Sequence, residues 1–290
     1  MQIVQPMPFD ADACAEALHR LCRRYPFLRS RMIGRSCAGR PIAALSLGRS
    51  NRPVLLAAGV HGVEWMTSLV LCAFLEHLCE GLRQGSFTLR RETLFVPAVN
   101  PDGMQLALHG AKGAGNLAQT VETISGGHYD NWSANARGVD INHNFDAGWR
   151  VLREMERAAG ITGPAAKQYG GPRPESEPET AALTRLCRIR QPCRALVLHS
   201  QGEEIYWRYG AKIPCGAAEL AQKFADASGY RLVENAGLAS HGGFKDWFIS
   251  QFARPAFTIE IGKGKNPLPL TDFEGVLARV EPLLREAVAL

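Results

Sequence analysis

Four short apolar runs constrain this chain more than anything else in its sequence. Val54–Gly59, Leu94–Val99, Ala195–Leu198 and Ala256–Ile259 are each apolar without alternation. A strand with one wet face alternates polar and apolar residues, whereas an unbroken run of this length is buried on both faces. Stretches with helical patterning lie between and after these runs, from Met66 to about Leu82 and over Ser176–Arg190, Ala217–Ser228 and Asp272–Ala289. Nearer the N-terminus, residues 11–24 read as an amphipathic helix, with Cys14, Leu18, Leu21 and Cys22 on one side. Short strands follow at Ser30–Ile33 and Ile42–Leu47, joined by a turn at Gly39-Arg40-Pro41. Buried strands alternating with helices predict an α/β sandwich with a largely parallel central sheet. Residues 1–290 read as a single domain, because no repeat, low-complexity tract or linker divides them.

Several classes of function fall away on composition. The formal charge of +5 comes with no block of consecutive Lys or Arg, so nucleic acid is not an expected partner. No apolar stretch reaches membrane-spanning length, and the first residues carry no basic segment followed by an apolar core. The expectation is a cytoplasmic protein without a membrane partner. The eight cysteines form no CxxC pair and sit mostly in helix-like apolar surroundings, which predicts free thiols. None sits at a helix start or strand-to-helix elbow that would make it a nucleophile.

The functional signal lies where the runs end. His61, His199 and Glu260 all stand at or just beyond the C-terminal end of an apolar run, where parallel α/β sheets bind their ligands. Catalytic zinc takes three nitrogen or oxygen ligands and keeps one position open. His61-Gly-Val-Glu64 offers an imidazole and a carboxylate within one turn of chain, and His199 would complete the set. Alone, a His-x-x-Glu pair is weak evidence. Glu260, inside Phe-Thr-Ile-Glu-Ile-Gly, is an acid in a strand-like apolar run and is costly to bury without a partner. Two readings stand for it: a structural salt bridge, or a general base with a raised pKa beside a metal.

Together these segments resemble the zinc carboxypeptidases of the carboxypeptidase A type. The similarity rests on His61-Gly62-Val63-Glu64-Trp65, Gly138-Val139-Asp140-Ile141-Asn142, His199-Ser200 and Phe257-Thr258-Ile259-Glu260, in that order. The resemblance implies a three-layer sandwich with a mixed, largely parallel sheet, and one zinc ion on His61, Glu64 and His199. It further implies that Glu260 is the base, that Asp140 orients His61, that Arg137 stabilises the oxyanion and that Asn142 binds a substrate carboxylate.

Three departures bear on the substrate. The digestive members follow the asparagine with arginine, where this chain has His143; their mobile tyrosine falls on Leu238; and the residue after the first ligand pair's glycine is Val63 rather than arginine. A histidine cannot reproduce the planar fork of a guanidinium, so removal of C-terminal residues from proteins is not expected. At the position that floors the family's specificity pocket stands Lys245, followed by Asp246 and Trp247. Two orientations are open to it: into the pocket, where it would attract a side-chain carboxylate, or out to solvent. The runs Gly242–Ser250 and Arg254–Gly262, with Asn266-Pro-Leu-Pro269, are most similar to the bacterial γ-D-glutamyl-meso-diaminopimelate peptidases. The implied partner is a small diaminopimelate-containing muropeptide, free in the cytoplasm or inside a sporulating cell. Two alternatives remain: an N-acyl amino acid deacylase of the aspartoacylase and succinylglutamate desuccinylase type, and a relative that binds peptide without cutting it. For the Gly-rich stretch Gly110–Gly127, both a cover over the cleft and plain mobile surface stay open.

Overall fold

The computed structural model describes residues 2–233 and 241–289. The first half of the chain forms α1 (Ala11–Arg24), β1 (Arg29–Arg35), β2 (Pro41–Leu47), β3 (Val54–Ala57), α2 (Trp65–Gln84), β4 (Thr93–Val96), α3 (Pro101–His109) and α4 (Ala118–Ser125). The second half forms α5 (Trp149–Ala158), α6 (Pro178–Arg190), β5 (Arg194–His199), β6 (Glu204–Tyr206), α7 (Ala217–Ser228), β7 (Arg231–Val233), α8 (Phe244–Phe252), β8 (Ala256–Glu260) and α9 (Phe273–Ala289).

The strands make one sheet in the order β1-β2-β4-β3-β5-β8-β6-β7. Its centre, β4-β3-β5-β8, is parallel, and antiparallel pairings flank it. The expected mixed, largely parallel sandwich is therefore the observed one. Side chains alternate between the faces, so each central strand feeds two cores. Val54 and Leu56 join α1, α2, α7 and α9 on one side; Leu55 and Ala57 join α6 and α8 on the other. The apolar helix α2 is long enough to cross a membrane on composition alone, but 94% of its most apolar window is buried inside the protein. It is the core helix of this layer. All eight cysteines are free, as expected.

Two segments take a form the sequence left open. Asn100-Pro101-Asp102-Gly103, which closes the apolar run Leu94–Val99, starts α3: the Asn100 side chain accepts from Gly103 N at 2.9 Å and Pro101 occupies the first turn. Asparagine followed by proline suits a turn and a helix start equally well, because proline fixes φ and lacks only an N–H that a first turn would leave unpaired. The stretch Gly110–Gly127 is neither a cover nor loose surface. It coils through Gly110–Leu117 into α4 and packs Ala114 and Val121 against the fully buried Trp132.

A crossover separates the neighbours of β3. The chain leaves β3 for β4 on one side, and β5 pairs on the other side. The crevice beyond the carboxyl ends of β3 and β5 is where this topology opens a binding site. The loop after β3 is held there tightly: Gly62 N donates to Ser133 O at 3.2 Å and Val63 N to Trp132 O at 3.0 Å. A Cβ on Gly62 would lie 2.2 Å from the carbonyl oxygen of Gly103 and 2.6 Å from that of Trp132. Both neighbours are backbone and cannot turn aside. Gly62→Ala is therefore expected to cost roughly 1–3 kcal/mol, the range for overpacking a tight interior, and to move His61 and Glu64 apart. Urea unfolding of the variant with an unchanged midpoint would contradict this.

Candidate metal centre

His61 lies beyond β3, Glu64 opens α2 and His199 ends β5. Sheet topology thus delivers three donors from sequence positions 138 residues apart to one point. His61 Nδ1 is 2.8 Å from Glu64 Oε1, His199 Nδ1 is 3.0 Å from Glu64 Oε2, and the two Nδ1 atoms are 3.3 Å apart. Two imidazole nitrogens and a carboxylate crowded this closely form the donor set of a catalytic zinc site.

The second ring nitrogen of His61 tests the fit. Its Nε2 lies 3.1 Å from Asp140 Oδ1, and Asp140 Oδ2 accepts from Gln168 N at 2.9 Å. A carboxylate that accepts the Nε2 proton leaves the Nδ1 lone pair directed at the cluster, the usual support of a metal-bound histidine. Burial alone would lower the His61 pKa, but Glu64 and Asp140 outweigh it and hold the metal-free imidazole well above its usual value. Burial likewise opposes the charge on Glu64, yet His61 and His199 beside it pull its pKa to about 2. The pocket is poised to hold positive charge.

His61 and His199 line one wall of a cavity of about 150 Å³ whose other walls include Asn142, His143, Tyr206, His241, Lys245, Asp246, Thr258 and Glu260. Glu260 pairs with His199 across the β5–β8 ladder and with Glu204 on β6. Its own burial, then Glu64 and Glu204, raise its pKa well above the ordinary carboxylate range. No described residue forms an ion pair with Glu260, so the structural salt-bridge reading has no partner here. Asn142 Oδ1 accepts from Phe244 N at 3.1 Å, which leaves its amide nitrogen as the group offered to the cavity. His143 Nδ1 is held 2.8 Å from Glu156, and burial lowers the pKa of the ring.

Lys245 settles the choice between pocket and solvent. Its side chain is 2% exposed and lines the cavity, with Nζ donating 2.6 Å to the Arg208 carbonyl and to Asp246. Arg137 is not brought in. Its side chain is 51% exposed, with the guanidinium 3.7 Å from Glu177, and lies outside the described lining. Leu238 lies outside the described residues. Sequence reading missed Tyr206, His241 and Thr258 as lining residues. Tyr206 and Thr258 are adjacent partners on β6 and β8, and Thr258 sits two residues before Glu260, so the period of the strand could have placed it on the same face.

The model of the zinc carboxypeptidase family matches residues 14–279. The chain belongs to that family. It is accordingly a zinc-dependent peptidase, a hydrolase of amide bonds. It is 32% identical to gamma-D-glutamyl-L-diamino acid endopeptidase 1 of Lysinibacillus sphaericus over 92% of this chain and 69% of that protein. It is 28% identical to murein peptide amidase A of Escherichia coli strain K12 over 74% of each. Bovine thrombin-activatable fibrinolysis inhibitor shares the fold at a TM-score of 0.76, with 20% identity, over 98% of this chain and 97% of that one.

Two measurements follow for this zinc peptidase. His61 has a folded-state pKa above the usual value of 6.5, so its ion pairing stabilises the metal-free fold fully below that pH. That contribution fades as pH rises through the raised value, while zinc must displace the proton. Zinc affinity should thus climb by about tenfold per pH unit below that raised value, as one displaced proton requires, and level off above it; a flat profile from acid to alkaline pH in chelator competition would contradict the assignment. Asp140→Ala should weaken zinc binding by roughly 10–100-fold in the same assay, with the fold retained.

Proposed function

We propose that this chain hydrolyses the amide bond between the γ-carboxyl of D-glutamate and meso-diaminopimelate in murein stem peptides. One observation carries the reading: a buried lysine, Lys245, shares a single cavity with His61, His199 and Glu260. A cation there suits a departing residue whose side chain ends in a carboxylate, and diaminopimelate has one. The names of the Lysinibacillus and Escherichia coli relatives support the same class of substrate.

Zinc on His61, Glu64 and His199 would acidify water and polarise the carbonyl under attack. Glu260 takes the proton of the attacking water and returns it to the departing amine, a double role suited to a carboxyl with a raised pKa. Asn142 offers its amide to the substrate's carboxylate, and His143 borders the same wall. Asp140 keeps His61 in the tautomer that presents Nδ1. Arg137 enters this scheme only by turning away from Glu177. A reducing cytoplasm as the setting is supported by eight free thiols, with Cys14 and Cys72 unbridged at 4.0 Å between sulfurs.

The test is hydrolysis of L-Ala-γ-D-Glu-meso-diaminopimelate by the zinc-loaded protein. Free diaminopimelate should be released, the L-Lys peptide should be cut weakly, and Glu260→Ala should lower kcat by roughly 10²–10⁴-fold while retaining one zinc per chain. No release from a fully zinc-loaded protein would sink the murein reading and favour acylated amino acids.

A further inference from the structure

A second cavity, of about 490 Å³, lies between α6 and the β1–β2 edge of the sheet. That volume falls within the roughly 300–1,000 Å³ of small-molecule sites. No residue of its lining belongs to the catalytic cavity. Two ties bound the groove. At one, β1 and α6 touch: a Cβ on Gly34 would lie 2.6 Å from the Ala182 Cβ, and Arg185 donates to the Ile33 carbonyl. At the other, Arg29 and Arg190 converge on Glu92, at 3.7 and 2.7 Å. Between them the lining is apolar at depth, with Ile33, Ala44 and Leu94 all buried. Ile189 also lines it and is 67% exposed, more than any other large apolar side chain among the described residues. Arg29, Arg31, Arg185 and Arg190 complete the lining with positive charge, and no acid lines it. Arg29 and Arg31 stand opposite Ser46 and Ala44 of β2, and Ala44 packs into the core on the α6 side, so strand alternation puts both arginines on the groove's face. Glu92 meets two of the four guanidiniums; the Arg31 side chain has no hydrogen bond or ion pair among the described residues.

We infer that this groove binds a long-chain fatty acid, with the acyl chain against Leu94, Leu186 and Ile189 and the carboxylate on Arg31. Each half of the lining asks for one half of that ligand. Covering an exposed isoleucine and the apolar bed beneath it favours a hydrocarbon chain. A guanidinium fork with its donors free favours a carboxylate. A small anion would leave the apolar bed wet, and a chain with a cationic head would meet four arginines. Addition of a peptide strand to β1 suits the site less well. The register with β2 shifts between Met32 and Gly34, and Arg185 already occupies the Ile33 carbonyl, so the strand is an irregular template for pairing. The inference stands apart from the murein reading, because the groove and the catalytic cavity share no lining residue.

The experiment is calorimetric titration of the zinc-loaded protein with dodecanoate below its micelle concentration. Dodecanoate should bind at a single site. Acetate, which lacks the chain, and dodecyltrimethylammonium, which reverses the charge of the head, should each bind at least about tenfold more weakly. Arg31→Glu should weaken dodecanoate binding by at least about tenfold, the loss expected for one charge-assisted hydrogen bond, and Arg31→Lys by less. Ile189→Asp, which sets an anion in the groove, should abolish it. Both positions are exposed, so zinc content and the thermal unfolding midpoint of each variant should stay those of the wild type; this separates loss of the site from loss of the fold. Equal affinity for dodecanoate and dodecyltrimethylammonium would overturn the charge assignment and with it the inference. So would dodecanoate binding that survives both Arg31→Glu and Ile189→Asp. Binding to phosphatidylglycerol vesicles with none of the free acid would overturn it in favour of a membrane surface.

Discussion

The Glu64 carboxylate reaches one oxygen to His61 and the other to His199, at 2.8 and 3.0 Å, and the rest of the site is arranged around those two contacts. A carboxylate this buried is tolerable only when surrounded by positive charge or a metal. The surroundings comply at every level. The parallel strands β3 and β5 end side by side, so the two histidines approach from adjacent strand ends. Gly62 lets the loop between them settle against the backbone of Gly103 and Trp132 with no side chain in the way. Asp140 supplies the outer negative charge that turns His61 inward.

A second group of potential metal donors, Cys37, Asp102 and Glu179, has the opposite character. Asp102 Oδ1 accepts from Ser36 and Arg40, and Oδ2 from Ala38 N and the Cys37 thiol. Glu179 accepts from Cys37 N and Asn135. Each carboxylate oxygen already has a donor, and the thiol is itself a donor rather than a bare sulfur; burial holds its pKa far above the usual range. This network clamps residues 36–40 to α3 and α6. What separates the two clusters is who supplies the protons: amides and a thiol in one, and in the other imidazoles that can give theirs up to a metal.

Most of this could be read from the sequence, for identifiable reasons. Buried strands announce themselves as unbroken apolar runs, so β3, β4, β5 and β8 were visible, and with them the positions of His61, His199 and Glu260 at their ends. The short strands β6 and β7, three residues each, carry too little pattern to be seen, and the lining role of Tyr206 went with them. Helix α8 was hidden by its own chemistry: Phe-Lys-Asp-Trp-Phe-Ile places charges next to aromatics on a segment buried on most sides, which defeats a search for one polar face. The orientation of Lys245 could not be decided for the same reason. Arg137 was expected through resemblance alone, and the acid it lies beside, Glu177, is 40 residues away in sequence and carries no local signal.

The location of the cavity's cations argues for side-chain recognition over terminal recognition. Where the digestive members place an arginine after the asparagine, this chain has His143, whose Nδ1 is committed to Glu156 and whose pKa burial has lowered. Glu156 is in turn engaged by the buried Arg153 and by Gly170 N at 3.2 Å, so its charge is met within that wall and none is passed on to the cavity. That wall therefore presents a neutral imidazole, able to donate or accept one hydrogen bond but not to grip a carboxylate with a fork. The buried cation stands on the floor instead, at Lys245, tied to the Arg208 carbonyl from below. A substrate whose negative charge sits at the far end of its side chain meets that cation. One whose only carboxylate is the terminal one meets His143 and Asn142, a weaker pair of partners. The cavity's buried cation thus stands where the end of a side chain, rather than a chain end, would reach it.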